Sequence, residues 1–276
     1  MTKLEQILKN LQDKHGGGQA LTEEQYEEMQ CKWANDNEGN LHEKDGYNCT
    51  VCKNKGIVYF LQKSYKDSNV MTVKNCECMR IRNTLKRAKE SGLNNILTDY
   101  TFDKYETTEQ WQTVIKNKAQ EFCADNTANW FYIGGSTGIG KTHICTAIAG
   151  HYIKQGKECR YMLWRDDAVK LKQLVNEYTE YQAAMNELKN VPVLYIDDFF
   201  KTQHGEQPTK GDINLAFEIL NHRLMNPELI TIISSEKTMM NLLEYDEATM
   251  SRIYQHTGKY KTDIPKDIKK NYRLKD

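Results

Sequence analysis

The chain has 276 residues, and its 38 basic and 38 acidic side chains leave no formal net charge at neutral pH. This length is sufficient for one full domain and a smaller one. A mean hydropathy of -0.76, with apolar runs no longer than a strand, excludes a membrane-spanning helix, and the balanced charge excludes nucleic-acid binding driven by net charge alone. Because residues Met1 to Glu5 begin no apolar signal sequence, we expect a cytoplasmic protein.

The first part of the chain, to about residue 46, predicts polar helices that are broken at Gly16-Gly17-Gly18. Four apolar residues recur in it at helical spacing: Leu4, Ile7, Leu8 and Leu11. This stripe either packs onto the rest of a small domain or forms a docking helix for a partner protein.

Four of the eight cysteines follow in two close pairs: Cys49, Cys52, Cys76 and Cys78. Between the pairs lie two short β-like runs, Gly56 to Leu61 and Val70 to Val73. In a chain without a secretion signal, such pairs more often hold metal than form disulfides, and four thiolates close a tetrahedral structural Zn2+ site. Because the second pair has the tight spacing C-x-C, His42 or Cys31 could replace one ligand.

Two stretches of the chain are locally basic, Arg80 to Lys89 and the tail from Lys259 to Lys275. Such runs are either solvated surfaces or contacts with the backbone of single-stranded DNA. We place the domain boundary after the first of them, which gives a small domain over residues 1–92 and a larger one over residues 93–276.

From Thr101 onward, apolar runs of strand length alternate with helical patterns. The predicted strands are Trp130 to Ile133, Arg160 to Trp164, Val191 to Ile196 and Leu229 to Ser234. The predicted helical segments between and after them are Thr142 to Gln155, Asp167 to Leu188 and Ile213 to Leu224. This alternation predicts an α/β fold with a parallel sheet flanked by helices, preceded by a small zinc-binding α+β domain.

A phosphate-binding motif, G-x4-G-K-[ST], stands between the first predicted strand and the first predicted helix of this domain. Its residues are Gly135, Ser136, Thr137, Gly138, Ile139, Gly140, Lys141 and Thr142. The glycines let several N–H groups point at one place, and the positive end of the following helix adds to this anion cradle. We expect Lys141 to reach the β- and γ-phosphates of ATP and the Thr142 hydroxyl to ligate Mg2+.

Two acidic residues, Asp197 and Asp198, end the buried strand that begins at Val191. In a parallel sheet this strand end lies at the same edge as the phosphate loop. We therefore expect Asp197 to hold Mg2+ and Asp198 to polarise the attacking water.

Six segments of the chain resemble the AAA+ ATPases of the DnaC/DnaI helicase-loader type and the related IstB-like transposition ATPases. They are Tyr100 to Tyr105, Trp130 to Gly135, Gly140 to His143, the pair Asp197-Asp198, Ile219 to Arg223 and Thr231 to Ser235. The resemblance covers most of residues 95–276 and adds His143 to the nucleotide-binding loop. The cysteine module resembles the zinc-binding N-terminal domain of DnaI-type loaders.

This resemblance implies an ATPase that loads a replicative DNA helicase hexamer onto single-stranded DNA during replication initiation. It also implies self-assembly through the ATP sites, with Arg252 as the arginine finger that acts on the ATP of a neighbouring subunit. Arg223 is a weaker candidate for a similar role. By the same resemblance, Asp167 to Leu188 lies where related initiator ATPases line their DNA-facing side.

The sequence departs from the family pattern at two places. The sensor at the end of the fourth strand is commonly Asn, but here the run is Ser234-Ser235-Glu236, so either Ser235 substitutes for it or sensing is blunted. About twenty residues follow the helix of Arg252, too few for the helical lid of many AAA+ proteins, and Arg273 is the only late candidate for a second sensor. We therefore predict slow ATP hydrolysis in isolation.

Two other functions stay open from the sequence. The first is an IstB-like ATPase that assists a transposase, which the zinc module on the N-terminal side disfavours. The second is a small-molecule P-loop kinase whose cysteines staple a lid, although such a lid more naturally lies inside the P-loop domain. The owner is either a bacterium or a phage that uses the cytoplasm of a bacterial host.

Overall fold

The computed structural model describes residues 22–64, 69–90, 94–202 and 206–274. The chain divides into two compact units, Met1–Met79 and Arg80–Asp276. The predicted stripe from Leu4 to Leu11 lies outside the described residues, and the functional boundary at residue 92 stays a prediction. Within the described ranges, no helix combines the length and the apolar character that a membrane crossing requires.

Within residues 22–64 and 69–79, the first unit has two helices and two paired strands. Its elements are α1 (Glu23–Asp36), α2 (Leu41–Asp45), β1 (Ile57–Lys63) and β2 (Asn69–Asn75). The two strands pair antiparallel, which confirms the two β-like runs. The side chain of Asn35 in α1 donates to the carbonyl of Tyr59 at 2.8 Å and accepts from its N–H at 2.9 Å. This exchange ties the first helix to the paired strands.

The basic stretch after the cysteines is a helix, α3 (Cys78–Glu90). Ile81 and Arg82 are both buried, so the cations of this segment do not form one continuous solvated surface.

The second unit is a five-stranded parallel sheet flanked by helices, which confirms the predicted fold class. Its strands are β3 (Trp130–Gly135), β4 (Cys159–Leu163), β5 (Val193–Asp197), β6 (Ile230–Ser235) and β7 (Lys261–Ile264), in the spatial order β4-β5-β6-β3-β7. Its helices are α4 (Asn94–Asp99), α5 (Gln110–Ala124), α6 (Lys141–Lys154), α7 (Trp164–Gln173), α8 (Tyr178–Asn190), α9 (Lys210–Leu224), α10 (Met239–Leu243) and α11 (Glu247–Thr257).

Strand β7, which lies within the basic tail, was not predicted from the sequence. It pairs parallel with β3, with Lys261 opposite Tyr132 and Ile264 opposite Gly135. The strand has four residues, of which only Ile264 is buried, so its sequence carries almost no apolar alternation. The segment Asp167 to Leu188 also differs from expectation, because it is divided between α7 and α8 by a short 3-10 turn.

The core lies on both faces of β3, all of whose residues are buried. Alternate residues of a strand face opposite sides of its sheet. Trp130 and Tyr132 join a cluster built with residues of α7, α8, α9 and α11. Phe131 packs instead against Phe122 of α5, with 5.4 Å between the ring centroids. The sheet is thus buried on both faces. Because β3, β5 and β6 pair in parallel, their carboxyl ends lie at the same edge of the sheet.

Candidate nucleotide site and metal centre

The phosphate loop joins the end of β3 to the start of α6, as the motif requires. Gly135, Gly138 and Gly140 have φ values of 138°, 81° and 84°, which side chains other than glycine rarely adopt. A Cβ atom on Gly135 would lie 2.5 Å from the backbone carbonyl oxygen of Ile264. The loop therefore needs its glycines for both backbone conformation and close approach.

The side chain of Lys141 folds over this loop. Its Nζ donates to the carbonyls of Gly135 and Ser136, each at 2.8 Å. Burial lowers the pKa of Lys141, and the carboxylates of Glu236, Asp198 and Asp197 oppose that change. The ammonium group is thus held at the centre of an anion cradle and close to three acids.

Asp197 ends β5 and lies beside the first turn of α6. Its carboxylate is 3.5 and 3.3 Å from Oγ1 of Thr142, measured from its two oxygens. Two oxygens on neighbouring positions of a Mg2+ octahedron lie about 3.0 Å apart, since Mg–O distances are about 2.1 Å. The pair Thr142 and Asp197 therefore fits Mg2+ with little rearrangement.

Two hydroxyl groups that the sequence analysis did not assign also hold Asp197. The Tyr161 hydroxyl on β4 donates to Oδ2 at 3.1 Å, and the Ser234 hydroxyl on β6 donates to Oδ1. Burial raises the pKa of Tyr161, so this hydroxyl keeps its proton at neutral pH. Both residues belong to the strands on either side of β5, and strand order is the signal that would have identified them.

Ser235 has a different environment from the one expected of a sensor. It is fully buried, and its hydroxyl donates to the carbonyl of Phe199 at 2.8 Å. It also accepts from the N–H of Lys237 at 3.1 Å. The hydroxyl that reaches the acidic residue is that of Ser234, and the sensor role of Ser235 stays a prediction.

Asp198 lies in a turn with a φ of 53°. Its Oδ2 accepts from Nζ of Lys201 at 2.9 Å, and the same ammonium lies 2.9 Å from Oε1 of Glu236. Glu236 in turn accepts from the hydroxyl of Thr137 in the phosphate loop at 2.8 Å. Burial raises the pKa of Asp198, while the Lys201 contact opposes that change.

A cavity of about 360 Å³ opens beside the loop and is lined by Lys141, Thr142, Asp198 and Glu236, among others. Tyr100 and Tyr105 line it too, so the segment that precedes the ATPase core belongs to the site. His143 stacks on Tyr100 at 4.6 Å between ring centroids, and its Nε2 lies 2.8 Å from the carbonyl of Thr101. The cavity thus has a charged phosphate end and an aromatic end.

The two candidate arginines differ sharply in burial. Arg252 on α11 is exposed, and its guanidinium donates to Oδ1 of Asn221 at 2.8 Å. This position suits a residue that acts outside its own subunit, although that role stays a prediction. The side chain of Arg273 lies outside the described residues.

Arg223 is wrong as a second finger candidate, because it is fully buried. Its Nε donates to the Thr231 hydroxyl at 2.9 Å. Its two terminal nitrogens donate to four backbone carbonyls: Leu188, Lys189, Val191 and Ile230. Burial lowers the pKa of Arg223 to about 9. This guanidinium joins the ends of α8, α9 and β6 and does not reach a nucleotide.

The four paired cysteines form one cluster in the first unit, with all sulfur atoms within 4.8 Å of one another. The Sγ atoms of Cys49 and Cys76 are 3.8 Å apart, and those of Cys52 and Cys78 are 3.5 Å apart. A Zn–S bond of about 2.3 Å in a tetrahedral site puts two sulfur atoms about 3.8 Å apart. The donor set and its spacing therefore fit Zn2+.

The turn after Cys52 stabilises the thiolate form of this cysteine, which is the form that binds a metal cation. The N–H of Gly56 donates to Sγ of Cys52 at 3.3 Å. Although burial opposes ionisation, this contact and the neighbouring thiols lower the pKa of Cys52 to about 7. Cys31 and His42 are outside the cluster formed by the described residues, so neither replaces a ligand.

Comparison with known proteins decides the family. A family model described as "IstB-like ATP binding protein" matches residues 63–252. The chain belongs to the IstB-like ATP-binding protein family. It is accordingly an AAA+ ATP-binding protein and an ATPase.

This IstB-like ATPase has relatives in Bacillus subtilis (strain 168). It is 30% identical to the protein YqaM over 215 residues, which are 74% of this chain and 67% of YqaM. It is 28% identical to the phage-like element PBSX protein XkdC over 225 residues, which are 78% of this chain and 81% of XkdC. The crystal structure of the DnaC helicase loader shares its fold with a TM-score of 0.52 and 22% identity, over 62% of this chain and 98% of that chain.

Proposed function

We propose that this IstB-like ATPase loads a replicative DNA helicase hexamer onto single-stranded DNA during replication initiation, in the cytoplasm of a bacterium. One observation carries the proposal. A phosphate loop paired with Asp197 lies on a fold shared with the DnaC helicase loader, and the same chain carries a separate four-cysteine unit. The relative XkdC, a protein of a phage-like element, is consistent with a phage-borne copy of such a loader.

In the proposed division of labour, residues 1–92 bind the helicase and residues 93–276 bind and hydrolyse ATP. Large apolar side chains are exposed on the first unit, on α1 and β2: Trp33, Val70, Met71 and Val73. Exposed apolar side chains of this kind support a surface that a protein partner covers. Bound Zn2+ would act as a structural cross-link there, because a small unit gains folding energy from metal.

In the second unit, Lys141 and the loop amides would hold the phosphates, and Thr142 with Asp197 would hold Mg2+. A bound Mg2+ supplies charge neutralisation at the phosphates. Asp198 is proposed to orient the attacking water. Arg252 is proposed to complete the site of a neighbouring subunit, which its exposure supports. Dependence on a second subunit is in keeping with slow hydrolysis by the isolated chain.

Contact with single-stranded DNA is the least direct part of the proposal. Two cations of the tail have partners of their own, since Lys259 pairs with Glu121 at 2.5 Å and Lys261 lies over the Tyr254 ring. Lys266 and Lys269 are exposed, and they are the tail residues that we assign to the DNA backbone.

The proposal is tested by helicase loading with the full chain. Hexameric helicase, labelled single-stranded DNA coated with binding protein, and ATP are mixed with and without the chain, and helicase on DNA is measured by pull-down. We expect deposition that depends on the chain and is abolished by Lys141→Ala. Lys154→Ala, at the exposed end of the same helix, serves as the control and retains loading. An equal amount of helicase on DNA with and without the chain would refute the proposal.

An IstB-like ATPase that assists a transposase is the second candidate, and the description of the matching family model favours it. A pull-down with the zinc-loaded full chain separates the two functions. Recovery of a transposase in place of a helicase would overturn our first proposal. Phosphate transfer to a nucleoside, in place of phosphate release, would instead indicate the small-molecule kinase.

A further inference from the structure

Lys201 lines the nucleotide cavity together with Lys141 and Lys104, and no sequence motif marks it. Its Nζ lies 2.9 Å from Oδ2 of Asp198 and 2.9 Å from Oε1 of Glu236, and all three residues line the cavity that contains Lys141. Oε1 of Glu236 also accepts from the hydroxyl of Thr137 in the phosphate loop at 2.8 Å. The lysine therefore links the ends of β5 and β6 to the loop.

The position of Lys201 is fixed by the backbone and by packing. Its N–H donates to the carbonyl of Asp198 at 2.9 Å, and the N–H of Phe199 donates to the carbonyl of Ser234 at 2.8 Å. Phe199 and Phe200 are almost fully buried, and their rings stack at 4.2 Å between centroids. Both rings also pack against the Trp164 ring, at 4.9 and 5.2 Å. The lysine thus projects from an anchored turn.

The carboxylates around Lys201 indicate that its positive charge has a role in nucleotide binding. Three carboxylates, those of Asp197, Asp198 and Glu236, surround the phosphate end of the cavity, and a triphosphate would bring further negative charge. Asp197 has Mg2+ as its expected counterion, but Asp198 and Glu236 share Lys201. Without that ammonium, two carboxylates in a partly buried site would repel the phosphate group nearest to them.

We propose that Lys201 is a specificity-determining residue that lets this site accept a third phosphate beside Asp198 and Glu236. The proposal deepens the ATPase function and rests on it. ADP lacks the third phosphate, so its binding depends on the loop and Lys141 and hardly on Lys201. We therefore expect the loss of Lys201 to weaken the binding of ATP more than the binding of ADP.

The test measures affinity of the full, zinc-loaded chain for a fluorescent non-hydrolysable ATP analogue and for fluorescent ADP, both with Mg2+. We expect Lys201→Met to weaken binding of the ATP analogue by about tenfold or more and binding of ADP by less than about twofold. Glu236→Gln in the same chain removes one of the two repelling carboxylates and restores the native net charge of the cluster, so the double variant recovers most of the lost ATP affinity. Lys210→Met, an exposed lysine outside the cavity, is the matched control and keeps both affinities.

Equal losses for ATP and ADP in Lys201→Met, or no recovery in the double variant, would overturn this proposal. Retained ADP binding shows that the variant is folded and that its phosphate loop is intact. Failure of the ATPase assignment has a different signature, because the native chain would then bind neither nucleotide.

Discussion

The buried guanidinium of Arg223 stabilises the ATPase unit, and we expect Arg223→Met to lower its stability strongly. Methionine keeps an unbranched side chain of similar reach but has no donor for the five acceptors, which are the Thr231 hydroxyl and four carbonyls. Two of those carbonyls, of Leu188 and Lys189, lie in the last turn of α8, where helix carbonyls lack partners within the helix.

The size of the effect follows from these contacts. A buried acceptor that loses its donor costs about 1–3 kcal/mol, while removing the guanidinium also relieves the cost of burying a charge. Five neutral acceptors at the lower end of that range, less the relieved cost of burying the charge, leave an expected loss of about 3–5 kcal/mol. At about 2–4 °C per kcal/mol for a unit of this size, Tm should fall by about 6–20 °C.

The assay is thermal unfolding of the full chain at neutral pH, followed by circular dichroism, with the exposed Arg252→Met as the matched control. We expect the control to remain within about 0.5 kcal/mol of the native chain. A Tm for Arg223→Met within about 2 °C of the native value would refute the reasoning, since it would mean that the five contacts contribute nothing net.

Three further predictions address the loop, the metal centre and the neighbouring subunit. Gly135→Ala places a Cβ 2.5 Å from the backbone carbonyl oxygen of Ile264, so ATP affinity measured by fluorescence titration should fall, whereas Gly156→Ala, also at a positive φ, meets nothing within 4 Å and should retain it. Cys52→Ser should lower zinc measured by mass spectrometry below about half an equivalent and Cys31→Ser should not; equal zinc in both would contradict the four-cysteine site. Arg252→Ala should retain ATP binding but lose about a hundredfold or more in steady-state hydrolysis by the self-assembled chain, and unchanged hydrolysis in that assembled state would exclude it as the finger.

Local sequence was sufficient for the parts of the fold that rest on continuous patterns. Strands buried on both faces are continuous apolar runs, so β3, β5 and β6 were predicted from sequence. Strand β7 was missed because its four residues are stabilised by pairing with β3, a partner far away in the chain. Pairing over such a distance leaves no local pattern.

The same distinction applies to the site. The phosphate loop is one contiguous motif and was predicted residue by residue, and the spacing of the cysteines predicted their cluster. Tyr161, Ser234 and Lys201 were not predicted, because they converge on the acidic pair only through strand order and the turn after β5. Strand order is a property of the folded sheet and cannot be determined from one sequence.

The burial of Arg223 could have been predicted from the sequence. It follows Ile219 by four positions and Leu220 by three, so it continues the apolar stripe of α9 into the core. An arginine in such a stripe is expected to be buried with its donors satisfied by backbone oxygens. Arg252 was recognisable only by resemblance, because no local sequence pattern distinguishes an arginine finger from another arginine on a helix.

The pairing of β3 with β7 has a consequence for how the protein is made. The strand that leads into the phosphate loop is flanked by β6 on one side and by residues 261–264 on the other. Until those residues have left the ribosome, a nascent chain has β3 as an open edge strand. We expect ATP capture to begin only after synthesis of the ATPase unit is almost finished.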